Sequence, residues 1–188
     1  MPAVLQMRVL QLPLLFLSLL ALGASGAALG DEAPATRHMI AAANPHAAEA
    51  GREMLRRGGS AIDAAVAAQM VLTLVEPESS GIGGGAFLLY YDAATHAVTA
   101  YDGRETAPAA ATPQLFLDSE GKPLGFMQAV VGGRSVGTPG VLRMLALAHH
   151  DHGRLPWADL FQPAIRLAEQ GFAISPRLHA LLLADKAL

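Results

Sequence analysis

The chain has 188 residues, of which 52% are hydrophobic and 15% charged, and its formal net charge is −3. That balance supports a folded domain with a real core and excludes a disordered, highly charged chain. It provides no basic footprint for nucleic acid, and the absence of cysteine removes disulfides, thiolate metal sites and a cysteine nucleophile together.

The first residues read as an export signal. Arg8 supplies the positive start, and Val9 to Leu22 is an apolar run broken by Gln11, Pro13 and Ser18. A small-residue stretch from Gly23 to Gly30 follows, which suits signal peptidase after Gly26, Ala28 or Gly30. The run is shorter than the roughly 20 residues a bilayer-spanning helix needs, so a cleaved signal over 1–28 is predicted rather than a retained anchor. Residues 29–37 are polar and predicted to be a flexible mature N-terminus, and 38–188 form the folded part.

Met39 to Ala43 is a short apolar run, predicted to be a buried strand. Asn44-Pro45 starts a helix, with Asn as N-cap and Pro at the first helical position. That helix stops at Gly58-Gly59, where a left-handed cap is easy. Ser60 to Asp63 restarts a helix with a capping box in which Asp replaces the usual Glu or Gln. From Ala61 to Val75 only Asp63, Gln69 and Thr73 are polar, which predicts a helix buried on nearly all sides.

Pro77 ends that helix, and Glu78 to Gly85 is predicted to be a loop whose tightness requires glycine. Phe87 to Tyr91 and Ala97 to Tyr101 read as a hairpin, with a turn at Asp92 to His96. Residues 118–135 read as a surface loop. Thr138-Pro139 is predicted to cap a helix that ends near Gly153. Pro156 starts another, with a kink at Pro163 and an end at Gly171. Ser175-Pro176 begins a last helix, which carries no stop signal before Leu188.

Four blocks between Met39 and Pro108 carry a family resemblance. They are Ala42 to Gly51 (AANPHAAEAG), Gly58 to Ala67 (GGSAIDAAVA), Glu76 to Gly85 (EPESSGIGGG) and Asp102 to Pro108 (DGRETAP). In this order and spacing the chain resembles the large subunit of γ-glutamyltransferases. Gly137 to Gly140 and the Gln162 to Ala168 segment extend the match.

The resemblance implies an α+β chain, the N-terminal part of an αββα N-terminal-nucleophile hydrolase fold that is incomplete here. It also implies a precursor that cuts itself into a large and a small subunit, which stay together as a heterodimer. The new N-terminal Thr of the small subunit is then the nucleophile, with its own amine as base. The implied reaction passes the γ-glutamyl group of glutathione or another γ-glutamyl amide to water or an amino-acid acceptor, without metal or organic cofactor. The implied location is periplasmic or extracellular. The Thr-Thr-His-type junction of the family is absent from these residues, and none of the seven threonines, at 36, 73, 95, 99, 106, 112 and 138, stands in that context. The fragment alone is therefore expected to be inactive, with no catalytic residue of its own.

Arg104 matches the arginine that, in this family, holds the substrate's α-carboxylate. A guanidinium meets a carboxylate with two parallel hydrogen bonds, as lysine cannot. The alternative is a surface Arg–Glu pair with Glu105, of little energetic worth. Glu105 is expected to orient Arg104 rather than bind substrate. Gly81, Gly83 and Ala86 fit a dinucleotide fingerprint, but helix-then-strand is the reverse of the context it requires. Ser79 and Ser80 lack the glycine two residues upstream that a nucleophile elbow needs. His149, His150, Asp151 and His152 form a metal-like cluster, read more simply as a solvated helix end. Trp157 and the Leu178 to Leu183 run read as packing residues. Two rival readings accompany the enzyme: a catalytically silent secreted module that binds γ-glutamyl ligands or a partner subunit, and a secreted metal-binding protein.

Overall fold

The computed structural model describes residues 37–185, and the elements below fall in the unit His38–Leu188. The predicted signal over 1–28, nearly all of the segment 29–37, and residues 186–188 lie outside the described residues.

Helix α1 spans Pro45–Arg56 and begins as predicted, with Pro45 in its first turn and the Asn44 side chain accepting from His46 N–H at 3.0 Å. Its buried positions are Ala47, Ala50, Gly51 and Met54, one face at helical spacing. It ends in two reverse bonds, Gly59 N–H to the Met54 carbonyl and Gly58 N–H to that of Leu55. Gly58 takes φ +87°, the left-handed conformation that closes a helix in this way.

Helix α2, Ala61–Val75, begins with the predicted capping box. Ser60 Oγ accepts from Asp63 N–H at 3.2 Å, and Asp63 Oδ2 accepts from Ser60 N–H at 2.7 Å. It is the centre of the molecule, with Ile62, Val66, Ala67, Met70, Val71 and Val75 all buried. Its alanines let α1 pack closely along one side.

Strands β1, Ala86–Asp92, and β2, Ala97–Gly103, form the predicted hairpin, in antiparallel register from Ala86↔Gly103 to Asp92↔Ala97. One face carries Leu88, Tyr90 and the buried Tyr101 toward the core. The other carries Phe87, Leu89 and Tyr91, which are 69%, 75% and 56% exposed. A short helix α3, Phe126–Val130, and a 3-10 turn, Gly133–Ser135, lie in the predicted surface loop without a buried side chain. Helix α4, Val141–His152, buries Val141, Met144, Leu145 and Ala148 and packs on the inner face of the hairpin. There Tyr101 Oη donates to Asp151 Oδ2 at 2.9 Å, and the Tyr90 ring stacks on His152. A 3-10 turn, Trp157–Phe161, leads into α5, Gln162–Gln170, and Ser175 caps α6, Pro176–Ala184.

Several expectations need correction. Met39–Ala43 is not a strand: no other strand lies alongside to pair with it among the described residues, and Met39 is 81% exposed. Thr138 does not cap α4. Its backbone pairs with Thr106 instead, and Gly140 occupies the cap without a side-chain bond. Pro163 starts a helix rather than kinking one, because the preceding turn is 3-10 and leaves the proline in the first α turn, where its missing N–H costs nothing. Helix α6 ends at Ala184, capped by Asp185. Leu178 is buried, but Leu181, Leu182 and Leu183 face outward.

Candidate functional site

Residues 102–106, leaving β2, run between two glycine-bearing segments. On one side Gly85 approaches so closely that a Cβ there would lie 2.7 Å from both the Gly103 carbonyl oxygen and Glu105 N. On the other side Gly140 presses on the Gly103 carbonyl, and a Cβ on Gly137 would lie 2.9 Å from Glu105 Cβ. Thr106 and Thr138 exchange backbone hydrogen bonds of 3.4 and 2.8 Å. Gly140 and Val141 N–H both donate to the Gly84 carbonyl, at 3.1 and 3.2 Å. The three segments thus hold one another by backbone contacts that leave no room for side chains.

The glycine run is less demanding than expected. Gly81, Gly83, Gly84 and Gly85 all avoid positive φ, and a Cβ on Gly83 meets nothing within 4 Å. The requirement concentrates at Gly85, and its cause is close approach rather than handedness.

The clamped segment presents Arg104 and Glu105. Arg104 N–H donates to Asp102 Oδ1 at 2.9 Å, which sets the turn out of the strand. The guanidinium is well exposed, and its Nη1 pairs with Glu105 Oε2. Glu105 is held below the usual carboxylate range, first by its own backbone N–H, then by the charge of Arg104 and by Gly85 N–H, against an opposing burial effect. A cleft of about 330 Å³ is lined by Arg104 and Glu105 together with Pro108, Leu115, Phe116 and Val136. A second, of about 410 Å³, is lined by Glu105, Ser79, Ser80 and the glycine loop. Glu105 borders both.

Arg134 also lines the first cleft, with its Nη1 donating to the Leu115 carbonyl at 2.9 Å. It belongs to no motif, and a single arginine in a glycine-flanked loop has no periodic signal. Only the fold brings it to the cleft of Arg104.

The other sequence candidates scatter. Among the described residues, no hydrogen bond joins the Ser79 or Ser80 hydroxyl to a histidine. The three histidines of the His149–His152 cluster point to different partners: His149 meets the Leu155 carbonyl, His150 pairs with Asp151, and His152 lies against Tyr90. No group of three His, Cys, Asp or Glu among the described residues is placed to hold a metal ion. Trp157 packs edge-on against Phe161, a core role. The arrangement can therefore bind an anion at Arg104, and among the described residues it offers no assembled nucleophile and base.

Residues 47–187 match the family model for gamma-glutamyltranspeptidase. The glutathione hydrolase proenzyme of Bacillus subtilis (strain 168) is 48% identical over 136 residues, covering 72% of this chain and 23% of that protein. Two solved structures superpose with a TM-score of 0.75. The gamma-glutamyltranspeptidase of Pseudomonas nitroreducens, complexed with L-DON, is 33% identical over 80% of this chain and 44% of its own. That of Helicobacter pylori is 35% identical over 81% and 43%. The chain thus spans about a quarter of the curated relative and less than half of each solved chain. The expected fold class, part of an N-terminal-nucleophile hydrolase, agrees with these likenesses. Four motif blocks in order, a shared backbone and a matching family model lead to one conclusion: the chain belongs to the gamma-glutamyltranspeptidase family.

Proposed function

We propose that this chain is the N-terminal portion of the large subunit of an exported γ-glutamyltransferase precursor, and that Arg104 holds the α-carboxylate of its γ-glutamyl substrate. In that protein a Thr freed by self-cleavage attacks the γ-carbonyl of glutathione or a related amide, and water or an amino acid takes the glutamyl group from the resulting ester. No residue described here performs that step. This chain contributes position. A carboxylate fixed at Arg104 puts the γ-carbonyl a set distance away, so that a bimolecular attack becomes an oriented one.

The observation that carries the reading is the clamp on residues 102–106. An exposed arginine on a free loop orients nothing. Arg104 instead rises from a segment locked on both sides by backbone, with Glu105 fixing its guanidinium. The exposed outer face of the hairpin fits a docking face for the small subunit of the same precursor. No helix among the described residues is long and apolar enough to cross a membrane.

The test is release of a chromogenic amine from a γ-glutamyl anilide by the protein expressed from its full reading frame. Arg104→Ala should lower kcat/KM by about a hundredfold, roughly 3 kcal/mol, without loss of self-processing. Arg104→Lys should recover little, since the fork is lost. A processed wild type that is inert would favour the silent module that only binds γ-glutamyl ligands or a partner.

A further inference from the structure

Holding one α-carboxylate leaves Arg134 without a task. It stands on the 3-10 turn Gly133–Ser135 and lines the same cleft as Arg104. One edge of its guanidinium is fixed by the Leu115 carbonyl, and no carboxylate pairs with it among the described residues. Glu105, the single carboxylate lining this cleft, is already committed to Arg104. Leu115, Phe116 and Val136 add apolar wall.

The cleft therefore carries two guanidinium ions against one carboxylate, a net charge of plus one. A γ-glutamyl anilide is a zwitterion of net charge zero and leaves that charge unmatched. A γ-glutamyl peptide with a free C-terminus has net charge minus one and matches it.

We propose that Arg134 is a specificity-determining residue that binds a second carboxylate, the one at the far end of the substrate's leaving portion. The inference rests on the reading of Arg104 given above and extends it by assigning the residue that reads the carboxylate of the leaving portion. Arginine suits the task because its planar fork can hold the Leu115 carbonyl with one edge and a carboxylate with another.

The experiment is calorimetric binding to the protein from the full reading frame, so that turnover is not required. The probes are ketomethylene isosteres of a γ-glutamyl dipeptide, which cannot be cleaved, in free-acid and C-terminal amide forms. The wild type should bind the acid about tenfold more tightly than the amide, as a charge-assisted pair warrants. Arg134→Gln should abolish that difference by weakening the acid alone, and Arg134→Lys should restore part of it. Equal binding of acid and amide by the wild type overturns the inference, as does an Arg134→Gln variant that weakens both alike. If the amide still binds and still depends on Arg104, the γ-glutamyl reading survives that failure. If neither probe binds, both readings fall.

Discussion

The side chain of Arg104 is only as useful as the backbone beneath it, and that backbone is held by glycines. A methyl group on Gly140 would run into the carbonyl of Gly103, with the Gly103 carbon at 2.8 Å, and backbone cannot step aside as a flexible side chain can. Gly140→Ala should therefore cost about 2 kcal/mol of stability in urea denaturation, as overpacking does, and should weaken γ-glutamyl binding as well. Gly83→Ala, which meets nothing, should do neither. This contrast was not legible in the sequence. Four glycines in five residues look alike as letters, and what separates Gly85 and Gly140 from Gly83 is contact with chain many positions away. Arg104 itself could be proposed from the sequence because its motif is local. Arg134 was not, because its partner in the cleft is thirty residues upstream.

At the level of elements, the helix ends are where sequence and structure agree best. Asn44, Ser60 and Ser175 each accept from the first turn of their helix, and each was readable because a cap needs only its nearest neighbours. What a local pattern cannot show is that the same residues tie distant chain together. Asp63 completes its capping box and then, through the same Oδ2, accepts from Arg154 N–H at 3.0 Å and Leu155 N–H at 3.2 Å. It is fully buried, with His149 Nε2 at 3.4 Å from Oδ1. Asp63→Ala should destabilise the protein by about 3 kcal/mol, because it strands three backbone donors at once; thermal denaturation measures it.

Glu76, at the end of α2, accepts from the Asn44 amide at 2.7 Å and receives Ser175 Oγ at 3.5 Å, so it joins the starts of α1 and α6. These bonds, that of Asn44 foremost, hold its carboxyl below the usual carboxylate range, against the opposing effect of burial. A depressed folded pKa gives stability that is present above the unfolded value and lost as pH falls through the folded one. Stability should thus fall as the pH drops through and below the ordinary carboxylate range, and Glu76→Gln should flatten that dependence in denaturation series run across the acid range.

Taken whole, the molecule has a buried centre in α2 and an unusually apolar exterior on one side of the hairpin. Phe87, Leu89 and Tyr91 stand in line on β1, with Val98 beside them on β2. Soluble proteins seldom leave such a stripe uncovered. The 188-residue chain expressed alone should self-associate, and Leu89→Lys should shift it toward monomer in light scattering behind size exclusion. The misread segments share this cause. Apolar runs at Met39–Ala43 and Leu181–Leu183 say that a face seeks cover, but not what covers it, so strand and core were expected where the structure leaves coil and exposed helix.

The cradle of Arg104 also has a consequence in time. Its three segments, 81–85, 102–106 and 137–141, lie within about sixty residues and close only short loops upon one another, at small entropic cost. Synthesis runs from the N-terminus, and chain can fold as it emerges. Once Val141 has left the ribosome, every backbone contact that shapes this cradle is available. The backbone cradle beneath Arg104 can therefore be set before any later residue is translated.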